Sequence, residues 1–254
     1  MAGFACAFAT GVFIMPLAPR RRFLQSAAGT LAGAGFPPAA AAARIKPGAN
    51  AVLIVVDVQN CFVPGGALPV ARGDEVVPVI NRIATAFDNV VLTQDWHTPG
   101  HISFASSHAG KKPFDTIRLG YGEQRLWPDH CVQGSQDAAL HKDLHLPQAQ
   151  MILRKGFHPQ VDSYSAFEEA DHKTATGLTG YLRQRGIESV FVAGLATDFC
   201  VAWTALDARR LGFDTSVVED ACRAIDIDGS LQAAWKQMQA KGIERIQSGD
   251  IDIG

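Results

Sequence analysis

The chain has 254 residues, 47% of them hydrophobic and 19% charged, with 23 Lys and Arg against 25 Asp and Glu. That balance provides for one sizeable core and argues against a clear second domain and against nucleic acid as a partner. Its five cysteines have neither zinc-finger spacing nor the density of a disulfide scaffold.

In chain order, the N-terminus differs in kind from the rest. Arg20-Arg21-Arg22-Phe23-Leu24-Gln25 resembles a twin-arginine export signal. A mildly apolar stretch, Ser26 to Phe36, follows it, then Pro37-Pro38 and the alanine run Ala39 to Ala43 with A-x-A cleavage sites. The Gly-rich segment falls short of the roughly 20 continuous apolar residues that a membrane span needs. Residues 1–43 are therefore expected to be a twin-arginine-type signal peptide, with 44–254 a periplasmic domain that has no membrane span. Met15 opens Met15-Pro16-Leu17-Ala18-Pro19-Arg20, itself a conventional leader, so residues 1–14 are expected to be a start-site artefact.

From residue 51 onward, strand and helix patterns alternate. Strands are predicted near 51–57, 89–94, 149–155, 189–194 and 214–219, with a weaker one near 244–247. Helices are predicted near 73–86, 174–185, 200–211 and 229–241. This implies an α/β fold, a three-layer α/β/α arrangement around a mainly parallel, doubly wound sheet of about six strands. Residues 96–148 are rich in His, Pro and Gly and lack long periodic runs, which is unusual unless the segment builds a site.

Three strand ends carry chemistry. Asp57 closes the apolar run Val52-Leu53-Ile54-Val55-Val56, and Lys155 closes Met151-Ile152-Leu153-Arg154. Cys200 follows the strand Ser189-Val190-Phe191-Val192-Ala193 and the turn Gly194-Leu195-Ala196-Thr197-Asp198-Phe199. Its position predicts a sulfur at a helix N-terminus, where the thiol ionises more easily than a free one. Taken singly, the Cys reads as a small buried residue and the two charges as solvated strand ends. Together, at the carboxyl edge of one sheet, they supply a nucleophile, a proton acceptor and a cation. Asp95 ends the strand Val90 to Gln94 and His97 lies two residues on, a spacing that suits two ligands diverging from a strand end.

At this point a family resemblance emerges. Asp57-Val58-Gln59-Asn60 with Phe62, Asp95-Trp96-His97 with His101, Trp127-Pro128-Asp129-His130-Cys131, Lys155-Gly156 and Gly194 through Cys200 resemble the nicotinamidases of the isochorismatase-like cysteine hydrolases. The motifs come in the expected order and span residues 51 to 222. One departure is Cys61, which stands where those enzymes usually have Asp. The resemblance implies the isochorismatase-like fold and a catalytic Asp57, Lys155 and Cys200. It implies an oxyanion hole from the N–H groups of Ala196 and Cys200, and a cis Leu195–Ala196 peptide. It also implies a substrate pocket walled by Phe62, Trp127 and Tyr164. One divalent metal ion, zinc, iron or manganese, would be held by Asp95, His97 and His130. His101 would serve either as a further ligand or as a holder of a metal-bound water.

The activity implied is deamidation of nicotinamide to nicotinate and ammonia through a thioester. Other readings remain open: a same-fold amidase acting on pyrazinamide or a carbamoyl compound, a vinyl-ether hydrolase that would not need Cys200, and a non-enzymatic periplasmic metal-binding protein. The partner expected is a small molecule, and a homo-oligomer is left open. Cys61, Cys131 and Cys222 are each expected to tolerate alanine far better than Cys200.

Overall fold

The computed structural model describes residues 44–254, so the expected leader lies outside the described residues. The run Ala-Val-Leu-Ile-Val-Val forms β1 (Ala51–Val56), every residue of which is buried. A strand apolar at every position needs cover on both faces. Leu53 and Val55 pack among Val76, Val77, Ile80 and Ile83 of α1 (Val76–Ile83). Val52, Ile54 and Val56 belong to the opposite layer. That layer is built by α2 (Leu178–Gln184), α3 (Ala202–Arg210) and α4 (Ser230–Ala240), which contribute Leu178, Leu182, Ala202, Ala205, Ala208, Ala234 and Met238. Each fully buried Val, Leu, Ile or Met side chain among these stabilises the fold by about 1.5–3 kcal/mol.

The main sheet has six strands in the order β5-β2-β1-β6-β7-β8, all paired in parallel. They are β2 (Asn89–Asp95), β5 (Met151–Lys155), β6 (Ser189–Leu195), β7 (Asp214–Arg223) and β8 (Glu244–Ile246). The chain runs outward from β1 through β2 to β5 on one side, and from β6 through β7 to β8 on the other. The β1/β6 junction is thus the point where strand order reverses, where doubly wound sheets open their ligand crevice. β1 and β6 approach closely there: a Cβ on Gly194, at φ +122, would lie 2.1 Å from the Val56 carbonyl oxygen. Only glycine fits.

The predicted elements and α/β architecture are present, with three differences. α2 is shorter than 174–185, because Thr176 Oγ1 donates to the Ala166 carbonyl and Ala175 bridges Glu168 instead of entering a helix. β7 continues to Arg223, re-pairing Cys222 with Gly194 beyond an irregularity in the β6–β7 register. The 96–148 segment contains an antiparallel hairpin, β3 (Thr116–Leu119) and β4 (Gly122–Arg125), which its polar, mostly half-buried sequence did not announce. Among the described residues no helix is long and apolar enough to cross a membrane.

Candidate active site

Asp57, Lys155 and Cys200 converge at the carboxyl edge of the sheet. Asp57 leaves β1 at φ +47, a left-handed conformation that Asp tolerates better than most residues. Its carboxylate is divided between two neighbours: Thr93 Oγ1 donates to Oδ1 at 2.6 Å, and Lys155 Nζ pairs with Oδ2 at 2.8 Å. The same ammonium lies 3.1 Å from Asp95 Oδ1, 3.1 Å from the Ser163 carbonyl and 3.5 Å from Cys200 Sγ. Both Asp57 and Lys155 are sealed from solvent. Burial works against the lysine charge, yet Asp57 and Asp95 outweigh it and hold Lys155 well above its ordinary value, so it remains a cation. Burial raises the Asp57 carboxyl, with Lys155 pulling the other way.

Cys200 corrects one expectation. It sits inside a wide π-helical turn, Thr197–Val201, and α3 begins two residues later, so the sulfur is not at the head of an α-helix. Burial pushes its thiol well above the ordinary value despite the opposing Lys155. The Leu195–Ala196 peptide is cis, as the resemblance implies.

Beside the triad, Asp95, His97 and His130 bring their ligating atoms together. His97 Nδ1 faces the Gly156 carbonyl at 2.9 Å and His130 Nδ1 faces the Pro128 carbonyl at 2.8 Å. A carbonyl only accepts, so each Nδ1 carries a proton and each Nε2 is the ring nitrogen turned inward, the one that would ligate an ion. Those Nε2 atoms stand 3.0 Å and 3.4 Å from Asp95 Oδ2. Three acceptors converging without a donor make a set that suits a divalent cation. Gly156 is required beside it, since a Cβ there would lie 2.6 Å from the His97 ring.

His101 is placed differently. Its Nε2 donates to the His158 carbonyl at 2.9 Å, with the Val161 carbonyl at 3.2 Å, and its Nδ1 meets Ser103 Oγ at 2.8 Å. Both ring nitrogens are engaged. Although His101 lies close to His97 and Asp162, it anchors the 158–161 loop instead of offering a free lone pair. Farther away, Glu168, His172 and Asp207 also cluster, but Arg210 already bridges both carboxylates.

A small cavity opens between these groups, lined by Cys200, Ala196, Asp95, His97, His130, Phe62, Trp127 and Tyr164. Trp127 Nε1 and Gln124 Nε2 each donate to the Tyr164 hydroxyl at 3.0 Å, so β4 buttresses the wall. Sequence reasoning missed Leu68, Asp162, Ser163, Phe199 and Ile225, which also line it. Phe199 and the Asp162-Ser163 pair adjoin motif residues and were within reach. Leu68 and Ile225 carried no signal, being delivered by loops. Also missed was a disulfide between Cys61 and Cys131, 70 residues apart. The expectation that either cysteine would tolerate alanine is corrected accordingly, because replacement removes a cross-link and frees a thiol. Among the described residues only Cys200 and Cys222 remain unpaired.

Residues 51–250 match the Isochorismatase domain. The chain belongs to the isochorismatase family. Within that family it resembles nicotinamidases most clearly. It is 61% identical over 208 residues to the nicotinamidase of Acinetobacter baylyi, covering 82% of this chain and 97% of that protein. A solved nicotinamidase and pyrazinamidase from Acinetobacter baumanii superposes with a TM-score of 0.80 at 62% identity, over 81% of this chain and 99% of that one. The pyrazinamidase of Pyrococcus horikoshii, solved in complex with zinc, superposes with a TM-score of 0.64 at 34% identity, over 78% and 99% of the two chains. This isochorismatase-family member is an enzyme, a hydrolase of the nicotinamidase type.

Proposed function

We propose that the enzyme hydrolyses nicotinamide to nicotinate and ammonia through a thioester on Cys200. The observation that carries this reading is the Lys155 ammonium, in reach of the Asp57 carboxylate at 2.8 Å and the Cys200 sulfur at 3.5 Å. Asp57 takes the thiol proton, and Lys155 offsets the negative charge left on sulfur. The thiolate attacks the carboxamide carbon while the N–H groups of Ala196 and Cys200 receive the oxyanion. Asp57 returns its proton to the departing ammonia, and water cleaves the thioester to release nicotinate and restore the thiol. Phe62, Trp127 and Tyr164 hold the flat ring by its faces and edges.

Asp95, His97 and His130 would hold one divalent ion. When bound, it supplies a Lewis-acidic site for the pyridine nitrogen, which orients the carboxamide toward sulfur. The N-terminal arginines support export by the twin-arginine route to the periplasm. The buried disulfide supports the same compartment, since such bonds persist where conditions are oxidising.

The test is ammonia release from nicotinamide by purified protein, before chelation, after it, and after zinc, iron or manganese is returned. Turnover that chelation suppresses and metal restores supports the reading. Full turnover by metal-free protein, or none under any condition, contradicts it. Cell fractionation with N-terminal sequencing of the mature chain tests export, and a cytoplasmic protein with residues before Ala43 intact contradicts it.

A further inference from the structure

We propose that the Cys61–Cys131 disulfide is the clamp that holds His130 in its ligating position, so that making or breaking this bond sets how tightly the enzyme retains its metal. The inference rests on the metal reading above.

The three ligand side chains are secured unequally. Asp95 ends β2, and its backbone is gripped on both sides by Gln59: Gln59 Nε2 donates to the Asp95 carbonyl at 2.8 Å and Gln59 Oε1 accepts the Asp95 N–H at 2.7 Å. His97 donates to the carbonyl of Gly156, the residue that follows β5. His130 has no such tie to the sheet. Its ring donates only to Pro128, within its own loop. The loop around it is pinned by Trp127 N–H to the Ser103 carbonyl at 2.8 Å and by Gln133 N–H to the His97 carbonyl at 2.9 Å, and between those points the one covalent tie is at the next residue, Cys131.

Cys131 is a joint between three segments. Its sulfur bonds to Cys61, in the turn Asn60–Phe62 just beyond β1 and Asp57. Its carbonyl accepts the His97 N–H at 3.0 Å, and its own N–H donates to Asp137 Oδ2 at 3.0 Å. The Asp137 carbonyl in turn accepts the Cys61 N–H at 2.8 Å. Cys131 stands at φ +46, a conformation a non-glycine residue keeps only when its surroundings over-determine it. Both cysteines are wholly buried, and Phe62, next to Cys61, meets the His130 ring edge-on at 5.5 Å. A covalent link therefore runs from the exit of the central strand to the residue beside the least-anchored ligand. Outer contacts of this kind orient a ligand and tune affinity for the ion.

The chemistry is reversible and balanced. The two thiols give two electrons and two protons to a disulfide oxidant, which becomes a dithiol, and the S–S bond forms. A phosphine reductant reverses it: phosphorus takes up oxygen from water, the S–S bond breaks, and two thiols result.

The experiment uses the folded protein loaded with zinc. Zinc affinity is read by competition with a chromophoric chelator, and thiols are counted by alkylation and intact mass. The oxidised protein is compared with phosphine-reduced protein and with the Cys61→Ser/Cys131→Ser variant, with Cys222→Ser as the control. Zinc binding should weaken by about tenfold or more in the reduced protein and the double variant, and stay within about twofold in the control. Re-oxidation should restore it, and excess zinc should return kcat to the oxidised level. If the double variant fails to fold, the reduced native chain carries the test. Equal zinc affinity in oxidised and reduced protein overturns the clamp, as do free thiols at both positions in air-purified protein. Oxidised protein that binds no zinc, iron or manganese overturns the metal reading itself, and the clamp with it.

Discussion

On one side of the cleft, Asp57, Lys155 and Cys200 follow or end three parallel strands, and the sheet register alone nearly fixes where they meet. On the other side, only Asp95 belongs to a strand, while His97 and His130 stand on loops. There, position depends on individual bonds: a glycine carbonyl for His97, two glutamine contacts for Asp95, and a disulfide beside His130. A strand end is held by the whole sheet, whereas a loop ligand is held by one or two named partners. Substitutions on the first side should therefore remove chemistry and spare structure. Those that loosen the second should remove metal first and activity as a consequence.

The largest effect expected is from Cys200→Ala, which should lower kcat by about a thousandfold or more with near-native thermal stability and metal content. Cys222→Ala is the informative control. Its thiol is also buried and pushed up to about 12, but it has no Asp57–Lys155 pair beside it and does not line the cavity, so activity should persist. Steady-state assays with metal analysis check both. Next in size, His130→Ala and His97→Ala should each reduce kcat/KM by about a hundredfold, in step with lost metal. His101→Ala should instead loosen the 158–161 loop and retain most of the metal, a difference that elemental analysis resolves.

An intermediate effect is expected in the pH profile. In the proposed mechanism Asp57 acts as a base only when ionised, and burial raises its carboxyl above the ordinary 3.8. Turnover should therefore be lost as pH falls through that raised value, placing the acid limb of kcat/KM above 3.8. Lys155 gives the opposite limb in stability. Its proton is held in the folded state well above the ordinary 10.5. Its contribution is full below 10.5 and is lost as pH rises through the folded value, so Tm should decline in strongly alkaline buffer. Smallest of all, Tyr164→Phe leaves the Trp127 and Gln124 donors without their shared acceptor. It should cost about 1–3 kcal/mol of stability and raise KM modestly.

The unequal construction of the two sides also governs what could be read from the sequence. β1 and β6 announce themselves because strands covered on both faces are apolar almost throughout, β2 and β5 show as shorter apolar runs, and Asp57 and Lys155 are conspicuous where such runs stop. Gly194 was visible as the end of a strand, although its cause, the 2.1 Å approach to Val56, needed coordinates. The loop side is legible only through motif resemblance, which located Asp95, His97 and His130 but not what fixes them. Nothing in the local pattern of Cys61 or Cys131 says that a partner lies 70 residues away. The state of Cys200 was misjudged for a related reason. The run after Gly194 announces a helix, but neither the π-helical turn that holds Cys200 nor the burial around its sulfur can be read locally.

The most direct measurement is rapid acid quenching of the enzyme during turnover of nicotinamide, followed by intact-mass and peptide analysis. A single nicotinoyl group on Cys200, formed and consumed at rates compatible with kcat and absent from Asp57→Asn and Cys200→Ala proteins, is the result expected. An adduct on Cys222, or full turnover by the Cys200→Ala protein, would contradict the assignment of Cys200 as the nucleophile.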